Sequence, residues 1–113
     1  MNSVNTVHLI GHLGAAPELK TTENGTSICS FSLATTDRWK DANAEIQEKT
    51  QWHRLTAWGK LAELCSELLT KGSLAYFEGS INYSSFEDDE GITRYTTEIR
   101  VHTMKRLDKK EPG

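Results

Sequence analysis

The chain has 113 residues, 36% of them hydrophobic and 26% charged, with a formal net charge of −3. That length holds one domain with a real core, and the balance fits a folded globular chain rather than a disordered one. No apolar run approaches the ~20 residues of a membrane span. The opening Met1-Asn2-Ser3-Val4-Asn5 has no basic stretch leading into an apolar block, so no secretory signal is expected.

Val7-His8-Leu9-Ile10-Gly11-His12-Leu13-Gly14 reads as a strand whose glycines allow a bend or a close backbone approach, and Pro17-Glu18-Leu19-Lys20 continues it after a break. Glu23-Asn24-Gly25-Thr26 is a turn signal. From Ile28 to Thr35 the chain alternates, with Cys29, Phe31 and Leu33 on one side and Ser30, Ser32 and Ala34 on the other, as in a half-buried strand. Asp37 to Lys49 is polar and without strong periodicity; it is expected to be a long loop carrying Trp39.

The next strand, Gln51-Trp52-His53-Arg54-Leu55-Thr56-Ala57-Trp58-Gly59, holds the most informative pattern. Trp52 and Trp58 are an even number of residues apart and leave one face, roughly 20 Å apart at strand rise. Arg54 and Thr56 share that face, while His53, Leu55 and Ala57 point the other way. Strands often bury aromatics, but an arginine between them argues for an exposed face. Flat rings flanking a guanidinium suit an extended nucleic-acid strand, with bases on the rings and phosphates at the cation.

Leu61, Leu64, Cys65 and Leu68 recur at helical spacing in Lys60–Leu69, a short amphipathic helix that Lys71-Gly72 is expected to close. Leu74 to Tyr83 is the fourth strand, Asp88-Asp89-Glu90-Gly91 a hairpin tip, and Arg94 to Val101 the fifth strand, with Thr97, Ile99 and Val101 on one face. Three strands, a helix and two strands is the order of the OB-fold, an all-β, five-stranded Greek-key barrel that binds single strands. A flat five-stranded sheet with one helix is the alternative, but it leaves edges to protect. The domain is expected over residues 1–106, with a short polar tail at 107–113. Cys29 and Cys65 are expected as buried free thiols in a reducing cytoplasm, although sequence leaves a disulfide open.

No signature of catalysis is present: there is no phosphate-binding glycine loop, no Gly-x-Ser-x-Gly and no Ser, His and Asp in a familiar arrangement, so the chain is not expected to be an enzyme. His8 and His12 share a strand face about 13 Å apart, too far for one ion. The acidic run at 88–90 lacks the remaining ligands of a calcium loop. No metal or other cofactor is expected.

Several runs together resemble the bacterial-type single-stranded DNA-binding proteins. They are Leu9-Ile10-Gly11-His12-Leu13-Gly14 with Pro17-Glu18, Phe31-Ser32-Leu33-Ala34-Thr35-Thr36, Trp52-His53-Arg54, and Trp58-Gly59-Lys60-Leu61-Ala62-Glu63. Further along come Lys71-Gly72-Ser73, Tyr76-Phe77-Glu78-Gly79 and Arg94-Tyr95-Thr96-Thr97-Glu98. The resemblance implies a homotetramer that coats single-stranded DNA in replication, recombination and repair. It implies base stacking on Trp39, Trp52, Trp58 and Phe86. Weaker carry-overs are phosphate contacts from Lys20, Lys40, Arg54, Lys60, Lys71 and Arg94, and subunit contacts at His53 and Tyr76.

The chain departs from that pattern twice. Ser80 to Thr93 contains no Lys or Arg where relatives often carry several, and Glu87, Asp88, Asp89 and Glu90 stand there instead. A smaller wrapped site or weaker binding with a flatter salt dependence is therefore expected. The usual acidic tip ending in Pro-Phe is not matched at Lys109-Lys110-Glu111-Pro112-Gly113, so docking of repair and replication enzymes through such a tip is not expected. The alternatives are a tail-less OB-fold assembly protein of the primosome or replication-restart kind, and an RNA-coating protein.

Overall fold

The computed structural model describes residues 3–108. In chain order it has β1 (Val7–Leu13), β2 (Glu18–Thr21), β3 (Ser27–Lys40), β4 (Ile46–Trp58), α1 (Lys60–Leu68), β5 (Leu74–Glu87) and β6 (Thr93–Arg106). Hydrogen bonding orders the strands β1-β5-β6-β4-β3-β2, and a further β1–β3 pairing (His12 to Ala34, Leu13 to Leu33) closes the sheet on itself. β2 pairs with β3 alone. β1 and β2 are thus two halves of one bent strand, and the closed barrel has the expected five strands with a helix between the third and fourth. The Greek-key crossing is the parallel contact of β4 with β6, at Leu55–Ile99 and Thr56–Arg100.

The inward face of each strand supplies the core. Cys29, Phe31 and Leu33 come from β3, Leu55 and Ala57 from β4, Ala75 and Phe77 from β5, and Ile99 and Val101 from β6. Phe31 and Phe77 meet with ring centroids 5.2 Å apart and planes tilted by 43°. Each of the larger side chains among them (Phe, Leu, Ile or Val) stabilises the fold by about 1.5–3 kcal/mol through the apolar surface it removes from water. Thr97, expected on the same face as Ile99 and Val101, is exposed, because the ribbon has left the barrel at that point.

α1 covers one end of the barrel through Ala62 and Cys65, with Leu69 buried just past its end. Leu64, expected on the buried side, is exposed. Ala62 is small enough to let the helix backbone close on the barrel, and this rotates the buried arc away from Leu64. The helix also stops earlier than expected: Leu69 is already extended (φ −104°, ψ 145°). Gly72 (φ 84°) serves instead in the Thr70–Ser73 turn, where the Ser73 amide donates to the Thr70 carbonyl.

The expected long loop at Asp37–Lys49 is instead the far half of a β3–β4 hairpin, paired without interruption to Lys40–Ile46. Its polarity has a physical reason. The ribbon stands clear of the core, so neither face needs apolar residues. Cross-strand polar pairs fasten it: Thr36 Oγ1 to Thr50 Oγ1 at 3.0 Å, and Arg38 Nε donating to Glu48 Oε2 at 3.1 Å. β5 and β6 form a second long hairpin out to Glu87–Thr93.

Three hairpin tips share one construction. In Thr22–Thr26, Asp41–Glu45 and Asp88–Ile92 the first amide donates to the fifth carbonyl, and the fourth amide donates to the first carbonyl. The fourth residue has positive φ in each: Gly25 (82°), Ala44 (62°) and Gly91 (77°). Asp41 and Asp88 each accept two amides of their own tip.

A register shift at Glu78/Gly79 sets the second hairpin. Phe77 lies opposite Met104 but Gly79 lies opposite Val101, which leaves His102 as the extra residue on β6. Val101 and Met104 can therefore both face inward although three residues apart. A Cβ on Gly79 would stand 2.2 Å from the Arg100 carbonyl oxygen, so only glycine fits the crowded strand there.

Candidate nucleic-acid interface

β3 and β4 pair in strict alternation, so their even-numbered residues share the outer face. Down β4 this face reads Trp58, Thr56, Arg54 and Trp52, opposite Ile28, Ser30, Ser32 and Ala34 of β3. Ala34 is too short to cover the ring of Trp52, and Trp52 is 62% and Trp58 39% exposed. The expected aromatic–cation–aromatic face is present. Leu55 and Ala57 are buried on the other side.

Trp52 leans on the bend after β1: a Cβ on Gly14 would come within 2.5 Å of its Cζ3. Thr56 is 6% exposed, and its buried Oγ1 has no hydrogen-bond partner among the described residues. Beside Arg54 runs a shallow groove of about 190 Å³, lined by Ala15, Ala16, Glu18, Ser30 and Ser32.

Arg100 was not among the residues singled out from sequence. It rises from β6 directly across the sheet from Thr56, and its guanidinium carbon lies 4.8 Å from the centroid of the Trp58 ring. Alternation in Ile99-Arg100-Val101 marks the arginine as outward-facing. Its neighbour on β4 depends on a parallel pairing between segments more than 40 residues apart, which no local pattern reveals.

The hairpins carry the other aromatics. Phe86 is exposed near the end of β5, on the ribbon face that Ser80, Asn82 and Ser84 share with Arg100, Glu98 and Thr96. Trp39 is exposed toward the tip of the first hairpin but stands on the ribbon face opposite Trp52 and Trp58, since it pairs with Gln47 in the odd-numbered register. Tyr83 and Tyr95, given no site role from the sequence, are 75% and 81% exposed on the second ribbon, on the face opposite Phe86.

The expected phosphate-binding cations divide. Arg54 lies between the two tryptophans, Lys60 opens α1 two residues after Trp58, and Lys40 pairs with Ile46 beside the first tip. Lys71 sits in the turn whose Gly72 amide donates to the Leu13 carbonyl, next to Gly14. All four are exposed and make no ion pair among the described residues. Lys20 lies 3.7 Å from Glu18, and Arg94 donates to Asp88 at 2.8 Å. Arg94 is therefore largely neutralised at home.

The two proposed subunit-contact residues are both half-buried. His53 Nε2 is hydrogen-bonded to Thr35 Oγ1 at 2.8 Å across the ladder. Tyr76 faces outward from β5 and donates to Glu78 Oε2 at 3.1 Å, so His8 Nδ1, 2.9 Å away, donates to the Tyr76 oxygen. Desolvation, then the Glu78 carboxylate, pushes the Tyr76 phenol above its ordinary pKa.

Cys29 and Cys65 are free, buried thiols. Desolvation raises both, and Cys65 is pushed up to about 12. Among the described residues no three His, Cys, Asp or Glu side chains gather to hold a metal ion, and no helix is long and apolar enough to cross a membrane. Beyond Asp108 the expected polar tail lies outside the described residues.

The family model described as the single-strand binding protein family matches residues 4–107. A protein of Chlorobaculum tepidum named single-stranded DNA-binding protein 1 is 45% identical over 97% of this chain and 68% of its own length. A protein of the same name from Xylella fastidiosa is 46% identical over 98% of this chain and 82% of its own. Among solved structures, the Plasmodium falciparum SSB in complex with ssDNA superposes with a TM-score of 0.87 at 31% identity, covering 96% of this chain and 98% of that one.

Proposed function

The chain belongs to the single-strand binding protein family, and from that premise we propose that it binds single-stranded DNA without regard to sequence and protects it during replication, recombination and repair. The observation that carries this reading is the outer face of β4, where two indoles stand open to solvent with an arginine between them that makes no ion pair among the described residues. Unpaired bases stack on Trp52 and Trp58, and Arg54 meets the phosphates. A duplex hides its base faces in its own stack and is refused. Lys60 and Lys71 extend the charged track at either end of this face. Phe86, Trp39 and Lys40 on the two ribbons add contacts further out, and Arg94 and Lys20 contribute least because each has a carboxylate beside it. The protein works by binding and catalyses no reaction.

Assembly as a homotetramer and a cytoplasmic, nucleoid-associated setting belong to the same proposal. His53 and Tyr76 are its candidate subunit contacts. From Val7 to Gly11 β1 is paired by β5 alone, so its other edge is open to a second copy. Sedimentation with and without a long oligo(dT) reports assembly and stoichiometry together.

Fluorescence titration with oligo(dT) tests the central claim. Strong quenching is expected, and Trp52→Ala or Trp58→Ala should each weaken binding by about 1–3 kcal/mol, roughly one to two decades. Unchanged affinity in both variants overturns the reading. The acidic second tip favours one competitor, a protein whose main task is to hold other proteins; that molecule would quench little. Competition between oligo(dT) and oligo(U) separates DNA from RNA preference.

A further inference from the structure

We propose that Arg100 is a positioning residue of this surface. It holds the Trp58 indole from one side and sets a phosphate-binding charge against it, so that ring and guanidinium together receive a single nucleotide. The inference rests on the proposed single-strand binding and adds a residue that neither the sequence pattern nor the family likeness pointed to.

Three observations converge on Arg100. Its guanidinium carbon stands 4.8 Å from the Trp58 ring centroid, within the range at which a cation is drawn to the face of an indole. Its charge is otherwise unspent: among the described residues it forms no ion pair, and the carboxylate two positions away on its own face, Glu98, is reached by the Asn82 amide at 3.5 Å. Its position is central, because Arg100 pairs with Thr56 on one side and Ser80 on the other. The two flanking partners are short, so the long side chain can lie across the sheet onto Trp58.

Trp58 is also less exposed than Trp52, at 39% against 62%. A ring with one face covered by a guanidinium offers only the other to a base. A π contact engages the flat face of the guanidinium and leaves its in-plane N–H donors directed outward, where they can grip a phosphate oxygen. Lysine has no such plane and cannot serve both purposes in one geometry.

The test compares Arg100→Ala, Arg100→Lys, Trp58→Ala and the double variant Arg100→Ala/Trp58→Ala, each titrated with oligo(dT) over a range of salt. Arg100 is exposed, so its replacement is not expected to disturb folding, and circular dichroism checks this. Loss of one phosphate contact should flatten the log–log salt slope by about 0.7 in Arg100→Ala. Arg100→Lys should keep the slope yet still bind several-fold more weakly. The double variant should lose several-fold less than the product of the two single losses, because the residues act together. A slope and affinity unchanged in Arg100→Ala, or losses that multiply independently, overturn the inference. If Trp52→Ala and Trp58→Ala weaken binding while Arg100→Ala changes nothing, the positioning role fails and the single-strand reading stands. If neither tryptophan variant weakens binding, the single-strand reading itself fails.

Discussion

Gly14 shows how a residue without a side chain can shape the surface, because Trp52 fills the space beside it. Its backbone needs no unusual φ, so alanine is conformationally acceptable there. The added carbon would nevertheless sit 2.5 Å from Cζ3 of Trp52, and the ring must swing away. Gly14→Ala is therefore expected to leave the circular dichroism unchanged and to weaken oligo(dT) binding several-fold. An affinity equal to that of the parent would show that Trp52 needs no such support. At this scale the candidate site is partly legible in the sequence. Trp52, Arg54 and Trp58 can be placed on one exposed face because strand alternation is strict and an arginine is seldom buried unpaired. Arg100 and the buried hydroxyl of Thr56 are not legible, since both depend on a parallel contact between distant strands. Trp39 can be recognised as exposed, but its side of the ribbon cannot be read without knowing that β3 continues unbroken to Lys40.

Among elements, legibility followed the core. Where a strand lines the barrel, as in Ile28–Thr35, burial imposes the period-two pattern. Where it projects as a ribbon, nothing imposes a pattern, so Asp37–Lys49 reads as a loop although it is paired on both sides of the Asp41–Glu45 tip. The tips make up for the lost burial with local chemistry. Ala44 holds φ 62° at the position where the other two tips have glycine. A left-handed conformation costs an L-residue roughly 1–2 kcal/mol, partly offset by the freedom that glycine loses on folding. Ala44→Gly should therefore stabilise the protein by about 0.5–1 kcal/mol in a thermal melt, and Gly91→Ala should destabilise it; no change at either site would mean that the tips relax freely.

Asp41 and Asp88 supply a pH dependence. The amides of Glu45 and then Asn43 hold the Asp41 carboxyl below its ordinary pKa; the Ile92 amide and then Arg94 do the same for Asp88. A pKa lowered in the folded state adds stability that is complete above the unfolded value of about 3.9 and is lost as pH falls through the folded value. Hydrogen exchange at the Glu45 and Ile92 amides should therefore speed up, beyond the intrinsic pH effect, as pH drops below about 4. Protection that stays constant there would refute the capping role.

Taken whole, the molecule separates a sealed interior from a working exterior. Cys29 and Cys65 lie in the interior, with their thiols held away from the thiolate form. Neither should react with a thiol reagent in the native protein near neutral pH, and labelling should follow global unfolding in urea. Rapid labelling of folded protein would mean that the helix-capped end of the barrel opens on its own. The fold as a whole was readable because element order and core alternation agree with each other. The net charge of −3 conceals its distribution, since carboxylates gather at the second tip while Arg54, Lys60 and Arg100 stand near the exposed indoles.

The second ribbon carries Phe86 on one side and Tyr83 and Tyr95 on the other, and this constrains how its reach could ever change. One extra residue in each strand would extend the arm by about 3.4 Å and also turn its outer part over, carrying Phe86 to the tyrosines' side. Two extra residues in each strand would restore its orientation about 6.8 Å further out. The span of this arm is thus quantised: any change in length that keeps its aromatic facing the same way must come in pairs.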